Sequence, residues 1–500
     1  MWLFLGWLAC APRLDPGPIQ ADAVSAPVRL VEMPDAASPN IYLQAIVAAG
    51  SAWDPPGREG LAHLTARALV DAGAGELSAD GLRDALYPTG NAVEQVIDRE
   101  WVSLRLRCHR DHAALCVERF ADVLTSPRFE AADVERLRDD AVFEVTEGVL
   151  GDDEALGAEV FHSVLYEGHP YGHPVTGRAG ALPTLTPELL RDFHGSHYVR
   201  EAVVVGVAGG YEPAHVAALR ARLEALPAQA MVDRVRLQPP TTPSGTLTIV
   251  STSTPVTGFH LGHTVETDRD HADWPALYVG MIAFGAHRQS FGRLFRSIRA
   301  SRGLNYGDYA YVEAYVQQGW EPAPENGVLR ADNHFVMWIR PTSLENAPFA
   351  LKLAQDELDV LLADGLGEDE FRDVVSHLRG AIPLLAKDPG RRLAYALDAA
   401  ATGTPNLLEI IPAKLDTLTR EEVLAAMQRH IKPEQMAIVA VSGDAEGLRG
   451  KLLATEPTPM VYADVKPDDA QAQRDVAVAA RKVPVAAEKV VIVNAQGLFQ

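Results

Sequence analysis

Apolar and polar positions recur in the same order in two distant parts of the chain. In the first, Thr186-Pro187-Glu188 opens a helix with an N-cap and a proline in its first turn. Ala202-Val203-Val204-Val205-Gly206-Val207 follows as an apolar strand that stops at Gly209-Gly210. In the second, Thr419 and Glu422 form a T-x-x-E capping box, and Ala437-Ile438-Val439-Ala440-Val441 follows as a strand that stops at Ser442-Gly443-Asp444. Thr186 and Thr419 stand 233 positions apart, which predicts two copies of one domain of about 200 residues. Within the copies, apolar strands at 41–48 and 101–106 alternate with amphipathic helices at 111–124, 348–363 and 368–379. Such runs predict an α+β fold with two homologous domains, each a mostly antiparallel sheet packed against helices. The first domain is placed at residues 28–236 and the second at 247–456. The Pro-rich span Gln238-Pro239-Pro240-Thr241-Thr242-Pro243-Ser244-Gly245 makes 237–246 the linker. A tail at 457–500 follows, and its run Val490-Val491-Ile492-Val493 reads as a strand with no assigned neighbour.

Composition narrows the class of function. Of 500 residues, 47 % are hydrophobic and 22 % charged, and the net charge is −22. That is a soluble globular composition, and its sign excludes nucleic acid as the main partner, since binding a phosphate lattice needs clustered Lys and Arg. The first ten residues are apolar and uncharged, and a Pro/Ala/Asp-rich stretch follows, so 1–27 reads as an export signal and linker. Leu8-Ala9-Cys10 matches a lipoprotein cleavage box, with Cys10 as the lipid-anchor position; a plain signal peptide and a mis-assigned start are the alternatives. Ten residues do not span a bilayer, which takes about 20 in a helix. The expected location is therefore the periplasm of a bacterium, free or as a membrane-anchored lipoprotein. Cys108 and Cys116 are then the remaining cysteines, open to one disulfide or to two buried thiols.

Candidate chemistry centres on His63-Leu64-Thr65-Ala66-Arg67. On a helix, positions i and i+4 share a face, so residues 63 and 67 stand where two histidines of H-x-x-E-H would grip zinc and residue 66 where its glutamate would activate water. Gly60-Leu61-Ala62-His63-Leu64 resembles the motif helix of the insulinase family, which includes pitrilysin and the mitochondrial processing peptidase and whose pattern reads G-L-A-H-x-x-E-H. The family's third ligand lies about eighty residues beyond the first histidine, where Glu144 stands. Gly168-His169-Pro170-Tyr171-Gly172-His173-Pro174-Val175-Thr176-Gly177 resembles its H-P-y-G…G loop, and Gly90-Asn91-Ala92 its substrate-side edge. The likeness runs from about Val28 to Gly447. It implies a pair of domains forming half of a clamshell.

The departures fall on the chemistry. Ala66 has no carboxylate to act as base, and Arg67, a permanent cation, has no lone pair for a metal. His63 and Glu144 are left as a degenerate metal pair, and Arg67 is expected to take the metal's place beside Glu144. The alternative for His63 is a helix histidine satisfied within the fold. No cofactor is expected in this chain.

The second copy keeps more. Phe291 to Tyr306 is similar to the family's R-x-x-x-G-L-x-Y region, with Arg299 and Tyr306 in the places by which relatives hold the substrate carbonyl. Phe291, Leu294, Phe295 and Ile298 mark the buried stripe of a helix that Gly303 terminates. The histidine sets 109/112, 162/169/173 and 194/197 lack usable ligand spacing and are expected to cap loops or face solvent. The resemblance thus implies a non-catalytic, substrate-positioning subunit of a heterodimeric insulinase-like zinc metalloendopeptidase. Its expected partners are a zinc-bearing insulinase-like subunit and a peptide substrate. The alternatives are a peptide-binding or assembly scaffold without a protease role, and an active metallopeptidase that recruits its base and ligand from elsewhere.

Overall fold

The computed structural model describes residues 27–232, 243–315, 324–463 and 466–500. The export segment with Cys10 and residues 237–242 of the expected linker lie outside them. Among the described residues, eleven strands form two sheets: β1 (Arg29–Pro34), β2 (Asn40–Val47), β3 (Glu94–Ile97), β4 (Val102–His109), β5 (Val203–Gly209), β6 (Leu247–Ser251), β7 (Val256–Val265), β8 (Asp308–Tyr311), β9 (Asn333–Ser343), β10 (Ala437–Ser442) and β11 (Val490–Asn494). The first sheet runs β1-β5-β2-β4-β3 and the second β11-β6-β10-β7-β9-β8. With β11 set aside, the second order repeats the first strand for strand. Both sheets are mixed: β1 pairs β5 in parallel, β6 pairs β10 and β11 in parallel, and the other pairings are antiparallel.

The strands legible as unbroken apolar runs are those buried on both faces. β5 and β10 are buried at every position because each sheet has its own helices on one face and a helix of the other domain on the opposite face. The Asp153–Leu165 helix lies on β7 and β10, and its counterpart Pro389–Thr402 lies on β1, β2 and β5. An Asp starts each: Asp152 caps the first by accepting from Glu154 N and Ala155 N, and Asp388 the second by accepting from Arg391 N. Five residues past each cap, the close approach is solved in opposite ways. Gly157 leaves the space that His260 and Val441 fill, and Leu393 fills the space that Gly206 leaves.

Ion pairs tie the same seam. Arg330 forks onto Asp98 at 2.9 and 2.7 Å, Arg340 onto Glu154 at 2.6 and 3.0 Å, and Arg105 reaches Glu325 at 2.7 Å. Two domains facing each other in this way are consistent with half of a clamshell. Cys108, on β4, and Cys116, on the Ala113–Thr125 helix, are joined in a disulfide, which decides between the two readings of these cysteines. The tail also finds its place: the Asp469–Ala479 helix packs on the Ala347–Asp364 helix, and β11 extends the second sheet beside β6. No helix among the described residues is long and apolar enough to cross a membrane.

Candidate functional site

The degenerate motif sits on the Leu61–Asp71 helix, which has no capping side chain at its own N-cap, Gly60. The buried carboxyl of Asp54 serves instead, accepting from Gly60 N and Ala62 N, both at 2.7 Å. Burial pushes this carboxyl up to about 8 against the pull of the helix N–H groups. Gly60 and Gly177 both have positive φ and lie so close that a Cβ on Gly177 would sit 2.5 Å from the Gly60 Cα. Only glycines allow the loop and the start of the helix to touch there.

Along the helix, His63 is 6 % exposed and neither ring nitrogen finds a partner. It is therefore not the satisfied helix histidine of the alternative reading. Burial, aided by the charge of Arg67, pushes it down to about 3. Ala66 is fully buried. Arg67 donates from Nε to Asp71 Oδ2 at 3.1 Å, and its Nη1 lies 4.0 Å from Glu144 Oε2. With its amide turned to suit its neighbours, Gln95 of β3 donates to Ala66 O at 2.7 Å and accepts from Arg67 Nε at 3.3 Å.

Glu144 opens a π-helical turn, Glu144–Val149, that continues the Ala131–Phe143 helix. Its Oε1 accepts from Thr176 Oγ1 at 3.0 Å, and its side chain is 47 % exposed. The expected pairing with Arg67 is thus present only at the limit of an ion pair. The physical reason is the nearer acid, Asp71, one turn along the helix, and the open setting of Glu144, which needs no neutralising partner.

These residues do not fit a zinc ion. His63 faces a guanidinium where a second imidazole would stand, and Glu144 is shared between Thr176 and that same cation. A dication there would meet like charge at short range.

The second domain presents a different arrangement. The expected helix is a π-helical turn, Phe295–Ala300, with Leu294 and Ile298 buried and Phe291 and Phe295 only half-buried. Gly303, at positive φ, closes it by donating to Arg299 O at 2.8 Å. Arg299 donates to Tyr306 O at 3.1 Å, and its guanidinium lies 4.9 Å from the Phe295 ring centre and 5.7 Å from that of Tyr306. Tyr306 is 75 % exposed. A cation and a phenol offered together to solvent can hold a peptide carbonyl.

Both π turns coincide with motif residues, Glu144 in one and Arg299 in the other. Such turns are rare and concentrate at functional positions, and apolar periodicity does not reveal them.

Against the expectation of loop caps or solvent exposure, His173 and His194 are buried within the fold. His194 bonds Leu124 O at 3.0 Å, His197 bonds Phe193 O at 3.0 Å, and His173 bonds Pro174 O at 2.9 Å. His162 and His334 lie in the domain seam, where burial and nearby arginines keep both well below the usual histidine range. One group escaped the sequence reading because its members are far apart in the chain: His271, Asp273 and His430. Asp273 is forked by Arg429 at 2.8 and 2.7 Å and bonded by His430 at 2.8 Å, so both its oxygens are already engaged.

A family model described as Insulinase (Peptidase family M16) matches residues 31–178, and one described as Peptidase M16 inactive domain matches 184–378. The chain belongs to peptidase family M16. An uncharacterised zinc protease of Mycobacterium tuberculosis is 27 % identical over 355 residues, covering 68 % of this chain and 74 % of the relative. A peptidase M16 inactive domain from Pseudomonas fluorescens superposes with a TM-score of 0.72 at 24 % identity, covering 82 % of this chain and 94 % of that one. A protease from Helicobacter pylori gives 0.75 at 14 % identity, covering 85 % and 99 %. These two likenesses concern the fold. Within M16, this chain keeps the duplicated architecture and departs at the metal ligand and the base.

Proposed function

We propose that this M16 chain is the substrate-positioning, non-catalytic member of a two-chain zinc peptidase, with the zinc held by its partner. The observation that carries the reading is the contrast at the two motif sites. Where a metal ligand and a base would stand there are an arginine engaged by Asp71 and an alanine packed in the core, while Arg299 and Tyr306 stand exposed together. Water activation needs a polarising ion and a base, and neither is supplied by this site. Substrate positioning needs a cation and a hydrogen-bonding edge. Arg299, Tyr306 and the edge strand β3 supply these, with a peptide adding to the sheet by strand pairing. The Cys108–Cys116 bridge supports an exported, oxidising location.

The test is to purify the chain alone and together with an H-x-x-E-H relative encoded beside it. Metal analysis of the single chain is expected to find no stoichiometric zinc, and peptide cleavage to appear only in the mixture. Chelator-sensitive cleavage by the single chain would overturn the proposal. A mixture in which the relative's activity does not change with this chain present would favour the scaffold reading.

A further inference from the structure

Residues 490–500 join the two domains at a place that the duplicated plan does not repeat. Among the described residues, β11 lies outside β6 whereas the first sheet ends at the equivalent strand, β1, so this addition occurs once there. After β11, Asn494 Oδ1 accepts from Gln496 N at 2.9 Å and turns the chain off the second sheet. Phe499 then takes φ 57, in the left-handed region, which a bulky side chain adopts only where its surroundings hold it. The surroundings belong mainly to the first domain. Phe499 is 5 % exposed in an apolar cluster made mostly of first-domain side chains, and Phe499 O accepts from Ala179 N at 2.8 Å. A Cβ on Gly180 would stand 3.1 Å from the Gln500 carbonyl carbon, so backbone meets backbone there. Ala179 and Gly180 lie two and three residues beyond Gly177; Thr176 holds Glu144 and Gly177 abuts the start of the His63 helix.

We infer that residues 495–500 form a strap that fixes the second domain to the loop beneath the motif helix. Resting on the proposed function, the strap sets the relation between the first domain, with its edge strand β3, and the Arg299–Tyr306 side, the two parts to which peptide contact is assigned. Its attachment is local: Phe499 and Ala495 are buried in one apolar cluster with Leu498 packed against it, and a backbone hydrogen bond and a close backbone approach are added, so it can be released without removing a sheet strand.

Peptide-resolved hydrogen exchange tests it on the full chain, on Phe499→Ala and on a chain ended after Asn494. In Phe499→Ala, amides of 174–185 are expected to exchange about tenfold faster or more, with 247–251 unchanged. The shortened chain is expected to show the same loss in the loop, with the domains still joined through their seam. Unchanged protection of 174–185 in Phe499→Ala overturns the strap. So does an equal loss of protection in both domains, which is the signature of a general stability effect. Should the shortened chain fail to fold, Phe499→Ala decides alone.

Discussion

Arg67 and Arg299 are the same side chain in two settings, and the difference between them separates the two halves of this molecule. Arg67 lies between Asp71 and Glu144, and Gln95 accepts from it as well. Its charge is answered inside the first domain. Arg299 has no carboxylate within ion-pair distance among the described residues; it rests over two aromatic rings and donates to a carbonyl. A guanidinium between acids fills a site and neutralises it. One held by rings and a carbonyl is oriented but still carries a charge that a ligand can use.

The most severe way to break the comparison is to rebuild the first half. Ala66→Glu together with Arg67→His restores the missing base and ligand beside His63 and Glu144. One zinc per chain is expected by metal analysis after dialysis, against none in the unaltered protein. If the doubly substituted chain takes up no zinc, the first domain has lost more than two side chains, and the contrast with the second is wrongly drawn. The next largest effect concerns the second half. In the reconstituted pair, Arg299→Ala is expected to lower the cleavage rate about a hundredfold or more, as loss of a charge-stabilising donor does. Arg67→Ala is expected to leave the rate nearly unchanged. Equal losses in both variants would mean that the two arginines do not differ in role.

Much of this contrast was legible in the sequence, and the reasons are physical. The duplication showed because caps and doubly buried strands are local: Thr419 with Glu422 needs three residues, and the apolar run of β5 needs only a helix on each face. His63, Glu144, Arg299 and Tyr306 showed because their spacing is fixed by the fold they share with relatives. What stayed hidden depends on contacts remote in sequence. Nothing near Asp54 announces that it caps a helix six residues away, and nothing near Phe499 announces a seat beside Ala179. The Arg67–Glu144 contact was expected, but its weakness was out of reach, because the nearer acid and the exposure of Glu144 are matters of packing.

The domain seam gives a subtler comparison, since its two copies place the small residue on opposite sides. Leu393→Ala leaves a void over Gly206 and is expected to cost about 2–5 kcal/mol in chemical denaturation. Gly157→Ala adds a methyl whose carbon would stand 2.7 Å from His260 Nδ1, and is expected to cost about 1–3 kcal/mol through overpacking. If Gly157→Ala is neutral, the approach of this helix to the second sheet is looser than that of its counterpart, and the seam is not symmetric.

The smallest net effect in the unaltered protein comes from two buried groups at the motif helix whose pH dependences oppose each other. His63 is pushed down to about 3 from an ordinary value of 6.5. The folded chain therefore keeps it neutral while the unfolded chain binds a proton, and its contribution to stability is lost as pH falls from 6.5 towards 3. Asp54 is pushed up to about 8 from 3.8. The folded chain holds a proton that the unfolded chain releases, so the contribution of Asp54 is lost as pH rises from 3.8 towards 8. Between pH 4 and 6.5 the two slopes, each about 1.4 kcal/mol per pH unit, run in opposite directions and nearly cancel. His63→Leu should uncover the Asp54 slope, giving a protein whose stability declines with rising pH across this window. Asp54→Asn should uncover the His63 slope, with stability increasing over the same window. Urea denaturation at four or five pH values separates the cases: parallel profiles for the two variants would show that these groups do not carry the buried proton balance of the first domain.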